Sequence, residues 1–369
     1  MSCATSLAQD LPGAVPQSKI YRITPLDDPR WNSLVNRHAS ASVFHSSSWL
    51  RALSLTYAYQ PVAFTTSAPT EERLRNALLF CYVDSWLTGR RLVSLPFSDH
   101  CEPLVDSEND LQMLLAGALR WAQRDGCRYI EIRPLHRAVQ SFSGATTTVE
   151  YPFHEVRLAP DLQALFSRLH KSSTQRKIRR AARESLVYCE GTSVDLLNSF
   201  YQLFQLTRAR HNTPPQPREW FDNLMLCFGE AAKIRVAKKD RRSVAAILTI
   251  RFKDTLVYKY GSTDSRFNKF GGIHLLLWRS IIEAKESGLQ YFDLGRTNPD
   301  QLGLITFKNR WGAEQSALHY TRYSLAGEST HWLDLLRPSW KSATARHLLA
   351  LLPLSILNEL GDILYKHAG

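Results

Sequence analysis

A pattern of helix, glycine and strand occurs twice in this chain, and it constrains the fold more than any other feature. Residues 111–125 have apolar positions at helical spacing, and Gly126 and the strand CRYIEIRP follow. Residues 273–287 repeat the pattern before Gly288 and the strand LQYFDLGR. Aligning the two glycines, at an offset of 162 residues, also pairs Leu276 with Leu114, Leu277 with Leu115, Ala284 with Ala122, Tyr291 with Tyr129 and Asp293 with Glu131.

The rest of the sequence extends this repeat to two halves with one order of elements, β-α-α-β-β-β-α-β. The second half has predicted strands at 186–190, 232–238, 244–253, 255–261 and 289–294, and helices at 194–211, 218–228 and 273–287. The first half has predicted strands at 19–24, 61–66 and 76–83, and helices near 30–39 and 47–57, before its own helix-glycine-strand unit. We therefore predict an α/β protein with two tandem mixed-sheet domains.

The domain boundaries follow from the same pattern. We place the first domain at 19–160 and the second at 161–328. A disordered N-terminus at 1–18 and a helical amphipathic tail at 329–369 complete the chain.

Charge and cysteine content limit the partners and the compartment. Lysine and arginine exceed aspartate and glutamate by 46 to 34, which favours an anionic partner or, alternatively, a basic surface that keeps the protein soluble. None of the six cysteines forms a Cys-x-x-Cys pair, which argues against a zinc site and for a reducing compartment. Without a signal-peptide pattern at the N-terminus, we expect a cytoplasmic protein, either free or peripheral at the inner face of the cell membrane.

Four segments carry a resemblance to a known family. They are LVSLPFSDHCEPL at 92–104, SSTQRKIRRAARESL at 172–186, YGSTDSRFNKFGGIHLLLW at 260–278 and FDLGRTNPDQLGLITFKNRWGAE at 292–314. They resemble the FemAB-like and BioF2-like acyltransferases linked to exopolysaccharide and exosortase systems. The resemblance covers residues 20–325 and implies two tandem domains of the GNAT acyltransferase fold.

One departure from the GNAT pattern concerns the acyl donor. Acetyl-CoA-dependent members of this fold carry Gln/Arg-x-x-Gly-x-Gly/Ala before the central helix, and RFNKFGGIH does not satisfy that spacing. Gly271 and Gly272 still place backbone amides at a helix N-terminus, which suits a phosphate. The resemblance implies aminoacyl-tRNA or acyl-CoA as a co-substrate, and we expect no tightly bound cofactor.

Three residues are candidates for the catalytic chemistry. The resemblance implies that Lys308, in the Phe-Lys segment, lines the donor or acceptor site and holds a phosphate or stabilises an oxyanion. Asp264 is a candidate base or amine-orienting carboxylate, or else an Asx-turn residue. Asp293 alternates with apolar neighbours, so it is a candidate proton acceptor, or else a structural carboxylate paired with Arg296.

The polar residues around the same strand ends are candidates for substrate binding. In the related proteins the segment at 92–104 lines the acceptor cleft, and the loops after strands 255–261 and 289–294 face the notch between splayed strands. The predicted substrate-binding residues are Asp99, His100, Arg133, Arg266, Lys269, Arg296, Asn298 and Arg310.

The segment from Arg168 to Arg183 contains seven lysines or arginines and no acid. Ser172 and Gln175 form a possible capping box at the start of its helix. We predict that Arg176, Arg179 and Arg180 contact phosphates of tRNA, of a nucleotide-linked precursor or of lipid headgroups. The alternative is a solvated helix face, and no feature points to DNA.

The leucine-rich tail is predicted to form a helix with an apolar stripe. The stripe consists of Leu349, Leu352, Ile356, Leu360 and Leu364. Such a stripe suits a membrane interface, the surface of the second domain or a second protomer.

Three functions remain open at this level. The first is a FemAB-like N-acyltransferase that moves an acyl or aminoacyl group onto an amine of a cell-envelope or exopolysaccharide precursor. The second is an acyl-CoA-dependent GNAT N-acetyltransferase acting on a sugar or small amine. The third is a non-catalytic RNA- or membrane-binding component of a polysaccharide assembly system.

Overall fold

The computed structural model describes residues 19–136, 144–325 and 354–367. Its α-helices are α1 (Trp31–Arg37), α2 (Ser47–Tyr57), α3 (Glu108–Arg124), α4 (Leu162–Arg168), α5 (Arg176–Arg183), α6 (Val194–Arg210), α7 (Arg218–Phe228), α8 (Gly272–Glu286), α9 (Leu302–Asn309) and α10 (Leu354–His367). Its strands are β1 (Tyr21–Ile23), β2 (Gln60–Thr65), β3 (Leu78–Val83), β4 (Arg91–Val93), β5 (Tyr129–Ile132), β6 (Thr147–Arg157), β7 (Val187–Gly191), β8 (Ala232–Lys239), β9 (Arg242–Phe252), β10 (Thr255–Thr263), β11 (Tyr291–Arg296) and β12 (Glu314–Ser324).

The twelve strands form one mixed sheet in the order β1-β2-β3-β4-β5-β12-β6-β11-β10-β9-β8-β7. Strands β4 and β5 are parallel, and so are their counterparts β10 and β11, whereas the other neighbours are antiparallel. The duplicated mixed α/β architecture predicted from the sequence is therefore confirmed. The repeat glycines Gly126 and Gly288 both have positive φ angles, 71° and 76°, as expected for residues that end a helix.

The two halves exchange a strand at the centre of the sheet. Strand β6 comes from the first half but pairs with β11 of the second half. Strand β12 comes from the end of the second half and pairs with β5 of the first half. Strands β6 and β12 also pair with each other, so the sheet runs without interruption through both halves.

The division into domains at 19–160 and 161–328 stays a prediction. Its boundary falls in the loop between β6 and α4. The predicted N-terminal segment 1–18 lies outside the described residues, as does most of the tail.

Strands β10 and β11 separate soon after they pair. Their parallel register runs only from Thr255 opposite Tyr291 to Val257 opposite Asp293. Beyond it, β10 passes through a bulge and continues beside β9, while β11 continues beside β6. This divergence leaves a gap between the strands, which side chains from other elements fill.

A shared hydrophobic core joins the two halves on one face of the sheet. Helix α2 of the first half packs against α7 of the second half. The rings of Trp49 and Trp220 meet edge to face, with centroids 5.2 Å apart. Both indoles are fully buried, so the halves are held together by apolar burial as well as by the sheet.

Helix α10, the described part of the tail, packs against both halves. The Tyr59 hydroxyl donates to the carbonyl oxygen of Tyr365 at 2.7 Å, and the Tyr365 hydroxyl donates to the carbonyl of Pro214 at 3.3 Å. Leu357 and Tyr365 are buried, whereas Ile356 is 42% exposed.

The predicted apolar stripe is therefore displaced by one residue from the face of α10 that is buried. Tyr365 and the aromatic side chains around it determine which face is buried. Leu349 and Leu352 lie outside the described residues. No helix among the described residues is long and apolar enough to cross a membrane. Contact of the tail with a membrane surface stays a prediction.

Candidate active site

The segment 92–104 begins in β4 and continues from residue 94 as a strained loop. Leu95 and Phe97 have φ angles of 57° and 61°, in the left-handed region that non-glycine residues rarely adopt. The Ser98 hydroxyl donates to the Leu95 carbonyl at 2.8 Å and stabilises this conformation. The loop carries Asp99 into the gap beside β11.

Five charged side chains meet there, and we call them the seam cluster: Asp99, Lys259, Asp293, Arg296 and Lys308. Lys259 donates to the Asp99 carboxylate at 2.9 Å, and the Arg296 guanidinium lies 4.0 Å from it. Burial opposes ionisation of Asp99, but the charges of Lys259 and Arg296 outweigh it and lower the pKa of that carboxyl. Asp99 is therefore a fixed negative charge.

Lys308 reaches the seam cluster from α9. Its ammonium donates to the carbonyl oxygens of Gly295 at 2.9 Å and Arg296 at 3.0 Å, at the end of β11. The residue is only 3% exposed, and burial lowers its pKa to about 8, against the opposing effect of Asp99 and Asp293. A lysine with a pKa near neutrality can donate a proton or stabilise a developing negative charge.

Asp293 connects Lys308 with the His100 side chain. Its carboxylate accepts the Gly295 amide at 2.6 Å, and its other oxygen lies 3.8 Å from His100 Nε2. Gly295 has a φ of 73°, and a Cβ there would lie 3.0 Å from the Asp99 carboxylate. Only glycine suits this position, because both the backbone conformation and the space exclude a side chain.

An arginine–tyrosine stack borders the seam cluster. The Arg296 guanidinium lies over the rings of Tyr151 and Tyr320, at 4.6 and 5.2 Å from their centroids. Arg133 also lies over Tyr320, 4.7 Å from the ring centroid, and donates to the Glu131 carboxylate and the Leu95 carbonyl. Arg133 was predicted to bind substrate, but its guanidinium is used to hold the loop.

Glu155 lies next to the seam cluster on β6. It is directly opposite Asp293 in the β6–β11 pair and directly opposite Glu314 in the β6–β12 pair. Burial, together with the charges of Asp293 and Glu314, raises its pKa to about 7. Glu155 is therefore close to half-protonated at neutral pH.

Asp264 does not join the seam cluster. It lies seven residues beyond Val257 on β10, roughly 20 Å along the strand. Its carboxylate caps the short helix Ser265–Phe270 and binds the exposed Arg266 at 2.6 Å. Hydrogen bonds from Arg266 lower the pKa of this carboxyl, so it is a poorer proton acceptor than an ordinary aspartate.

We expect Asp264→Asn to retain transfer activity within about twofold. Asparagine caps helices as well as aspartate, so the free energy of unfolding should fall by less than about 1 kcal/mol. Thermal melting and an initial-rate assay check both values. If a folded Asp264→Asn variant loses transfer completely, Asp264 is again the candidate for the catalytic base.

The two glycines at the start of α8 lie in a crowded environment. A Cβ on Gly271 would lie 2.5 Å from the Lys177 carbonyl, so α5 covers that side of the turn. Gly272 lines a pocket of about 190 Å³ together with Thr263, Asn268, His274 and Phe307. The carbonyl over Gly271 makes that amide a poor phosphate site, since it presents partial negative charge.

The basic segment forms a cleft of about 450 Å³, which we call the basic cleft. It is lined by Arg176, Lys177, Arg180, Arg183, Glu184 and Lys269. Lys269 was predicted to face the notch and instead belongs here. Arg179 lies over the Phe166 ring, 5.3 Å from its centroid, and bonds Gln175.

The predicted capping box does not form. The Gln175 side chain donates to the carbonyls of Phe166 and Leu169, and a π-helical turn at Lys171–Gln175 precedes α5. Of the remaining predicted residues, Asn298 accepts from Arg296 at 3.0 Å, and Arg310 is exposed at the end of α9.

Sequence reasoning missed three of the residues at this site. Lys259 lies within β10, whose sequence has no feature that marks this lysine as functional. Glu155 and Tyr320 lie on β6 and β12, two strands that were not predicted. Apolar residues recur at every second position, at Tyr151 and Phe153 in β6 and at Leu318 and Tyr320 in β12, and this recurrence is the signal that predicts the two strands.

Comparisons with known proteins agree with this geometry. Residues 168–309 match the acetyltransferase (GNAT) domain family. A UDP-N-acetylmuramoylpentapeptide-lysine N(6)-alanyltransferase from Weissella viridescens is 24% identical over 129 residues, which are 34% of this chain and 38% of that protein. The match thus spans well under half of this curated relative.

Solved structures show the same fold over most of the chain. The crystal structure of FemX has a TM-score of 0.64 at 14% identity and covers 85% of this chain and 99% of its own. The C-terminal domain of a lysylphosphatidylglycerol synthetase, assigned only putatively, from Agrobacterium fabrum has a TM-score of 0.56 at 14% identity, over 84% of this chain and 96% of its own. The predicted resemblance is confirmed at the level of the fold: the chain has a duplicated mixed α/β architecture similar to that of FemX, and residues 168–309 match the GNAT domain family.

Proposed function

We propose that this protein transfers an acyl or aminoacyl group onto an amine of a cell-envelope precursor. The observation that carries the proposal is the buried Lys308, which lies in the gap beside β11 among the charges of Asp99 and Asp293. The matched GNAT domain and the alanyltransferase relative support the same chemistry.

The transfer forms one C–N bond and breaks one C–O or C–S bond at the acyl carbon. Negative charge develops on the carbonyl oxygen while the amine attacks. Two of the three Lys308 protons are bonded to backbone carbonyls, which fix the direction of the third. That proton stabilises the oxyanion, and the carboxylates of the seam cluster keep the lysine charged up to about pH 8.

The basic cleft favours a polyanionic donor such as aminoacyl-tRNA over acyl-CoA. The cleft is lined by five cations and one acid, Glu184; the cations are Arg176, Lys177, Arg180, Arg183 and Lys269. Five cations around 450 Å³ suit successive phosphates of a nucleic acid backbone. The Lys177 carbonyl covers the turn at Gly271, and the segment RFNKFGGIH does not match the coenzyme A motif. Both observations also favour aminoacyl-tRNA over acyl-CoA.

Arg180→Gln should weaken binding of alanyl-tRNA about three- to tenfold and reduce the slope of log affinity against log salt by about one. Fluorescence anisotropy between 50 and 300 mM KCl measures both quantities. The exposed Arg120 on α3 provides the control, because Arg120→Gln should leave the slope unchanged. If the wild type and Arg180→Gln have equal salt-dependence slopes, the basic cleft does not bind the donor.

The proposed function is tested by mixing the protein with UDP-N-acetylmuramoylpentapeptide and a donor panel. Alanyl-tRNA, other aminoacyl-tRNAs and acyl-CoA esters are supplied separately, and mass spectrometry follows the acceptor. We expect the acceptor to gain one aminoacyl group from at least one charged tRNA. Acyl gain from coenzyme A esters alone would favour a GNAT N-acetyltransferase, and no gain from any donor would contradict the proposal for this acceptor.

A further inference from the structure

A row of carboxylates crosses the centre of the sheet beside the seam cluster. Asp293 on β11, Glu155 on β6 and Glu314 on β12 are direct neighbours in the two antiparallel pairs. Directly opposed residues point to the same face of a sheet, with Cβ atoms about 5 Å apart. The exposed fraction rises along the row, from 4% for the Asp293 side chain to 64% for that of Glu314.

Glu155 differs from the neighbouring acids because it lacks a partner. Within the described ranges, its carboxylate makes no hydrogen bond or ion pair. The other acids are all engaged: Asp99 by Lys259, Asp293 by the Gly295 amide, Glu131 by Arg133 and Arg322, and Glu314 by Arg157. The charge of Arg157 only partly offsets the burial of this carboxylate, so a cation that arrived from outside the chain would be stabilised beside it.

His100 gives a second, independent indication at the same place. Its imidazole is 4% exposed, and within the described residues the buried Nδ1 has no hydrogen-bond partner. The ring lies edge-on to Phe44 and Phe153, with Nε2 directed at the Asp293 carboxylate from 3.8 Å, beyond hydrogen-bonding distance. Phe153 and Glu155 are two residues apart on β6 and share its face, so the imidazole lies beside the row of acids.

We propose that Glu155 is the general base that takes the proton from the attacking amine of the acceptor. The inference rests on the proposed function. The acceptor enters as an ammonium, R–NH3⁺, and is held between Glu155 and Asp293. Glu155 accepts one proton and becomes a neutral acid, and the amine lone pair then forms the C–N bond. The second amine proton leaves with the departing oxygen or sulfur of the donor, so charge and protons balance.

The location is consistent with the remaining site. The charge of Asp293 acts both on Glu155 and on Lys308, so the proposed base and the seam cluster are linked through this carboxylate. Burial raises the pKa of Glu155 to about 7 and lowers that of Lys308 to about 8, so both groups have pKa values near the pH at which a proton would be exchanged.

Glu155→Gln tests the assignment without changing the size of the side chain. We expect kcat/KM for alanyl transfer to UDP-N-acetylmuramoylpentapeptide to fall about 100-fold, the lower range for loss of a general base. The rise of wild-type kcat/KM through about pH 7 should disappear in this variant. The groups that set this midpoint are Asp293 from β11, Glu314 from β12, Arg157 on the same strand and Asp254 from the β9–β10 turn.

Glu150→Gln is the matched control, since Glu150 is an exposed glutamate on the same strand. It should keep both the rate and the pH profile of the wild type. A Glu155→Gln variant that folds, as judged by its melting transition, and retains the wild-type rate and profile would overturn the proposal.

A binding measurement separates this inference from the proposed function. Nα-acetyl-lysine methylamide is titrated into protein labelled with ¹³C at the glutamate side chains. We expect a shift of the Glu155 carboxyl resonance that is absent for the Glu150 carboxyl. If the wild-type protein shows this shift but transfers no group, the proposed function is contradicted and the amine-binding site is retained. An unchanged Glu155 resonance would remove the amine site, whatever the transfer assay shows.

Discussion

Replacing Lys308 by methionine should reduce acyl transfer about 100- to 1,000-fold while the protein stays folded. Methionine has nearly the length of lysine but cannot stabilise an oxyanion, and loss of one such donor typically has an effect of this size. Single-turnover transfer measured by quench flow checks the rate. The wild-type rate should also decline above about pH 8, since the Lys308 ammonium loses its proton there.

The stability of this variant distinguishes a chemical from a structural role. Methionine removes a buried charge, which is favourable, but leaves the Gly295 and Arg296 carbonyls without their donor, which is unfavourable. We expect the two effects to cancel to within about 1–2 kcal/mol. Lys285→Met on α8 is the control and should keep full activity. Wild-type rates in folded Lys308→Met would exclude the lysine from the chemistry.

Replacing Asp99 by alanine should lower the free energy of unfolding by about 3–5 kcal/mol. The change leaves the Lys259 ammonium, whose side chain is only 6% exposed, without the carboxylate that it bonds at 2.9 Å. Urea denaturation at pH 7 measures the loss. A second substitution, Lys259→Met, should recover much of it, because the buried charge is then removed.

The pH dependence of this pair has a defined sign. The Asp99 pKa is lowered in the folded protein, so its contribution to stability is present above the ordinary pKa of an aspartate. The contribution is lost as the pH falls through the folded pKa. Asp84→Ala is the control, since its ion pair with Arg90 is exposed, and it should change stability by less than about 0.5 kcal/mol. Equal losses for Asp84→Ala and Asp99→Ala would contradict a buried pair.

Local sequence patterns predicted the elements of the second half well. Helix α7 has the predicted bounds, and α6, α8 and β8 differ from their predictions by one residue at one or both ends. These elements have clear apolar periods and strong end signals, such as the glycine at 288. Strand β4 in the first half has only three residues, too short for any period to appear.

The exchange of β6 and β12 was not predictable from local patterns. Both strands have apolar residues at every second position over part of their length, as β6 does at Val149, Tyr151 and Phe153. Their partners β11 and β5 lie far away in sequence, so nothing in either segment specifies the pairing. The site depends on this pairing, because it brings Glu155 next to Asp293 and Tyr320 next to Asp99.

The structure therefore brings together only some of the residues that were predicted for the site. Lys308, Asp293 and Asp99 do meet, because they lie on elements that end at the same gap. Asp264 seemed equivalent because it also follows a strand. Strand β10 extends with β9 after it leaves β11, and this extension carries Asp264 away. Sequence showed that both strands end in polar residues but not how far each strand extends.

The most direct test of the account is a crystal structure with UDP-N-acetylmuramoylpentapeptide and a stable, amide-linked alanyl-tRNA end. We predict the alanyl carbonyl oxygen within hydrogen-bonding distance of the Lys308 ammonium, about 3 Å, with the acceptor amine beside Glu155. A carbonyl bound elsewhere, with Lys308 still directed only at the carbonyls of β11, would contradict the account.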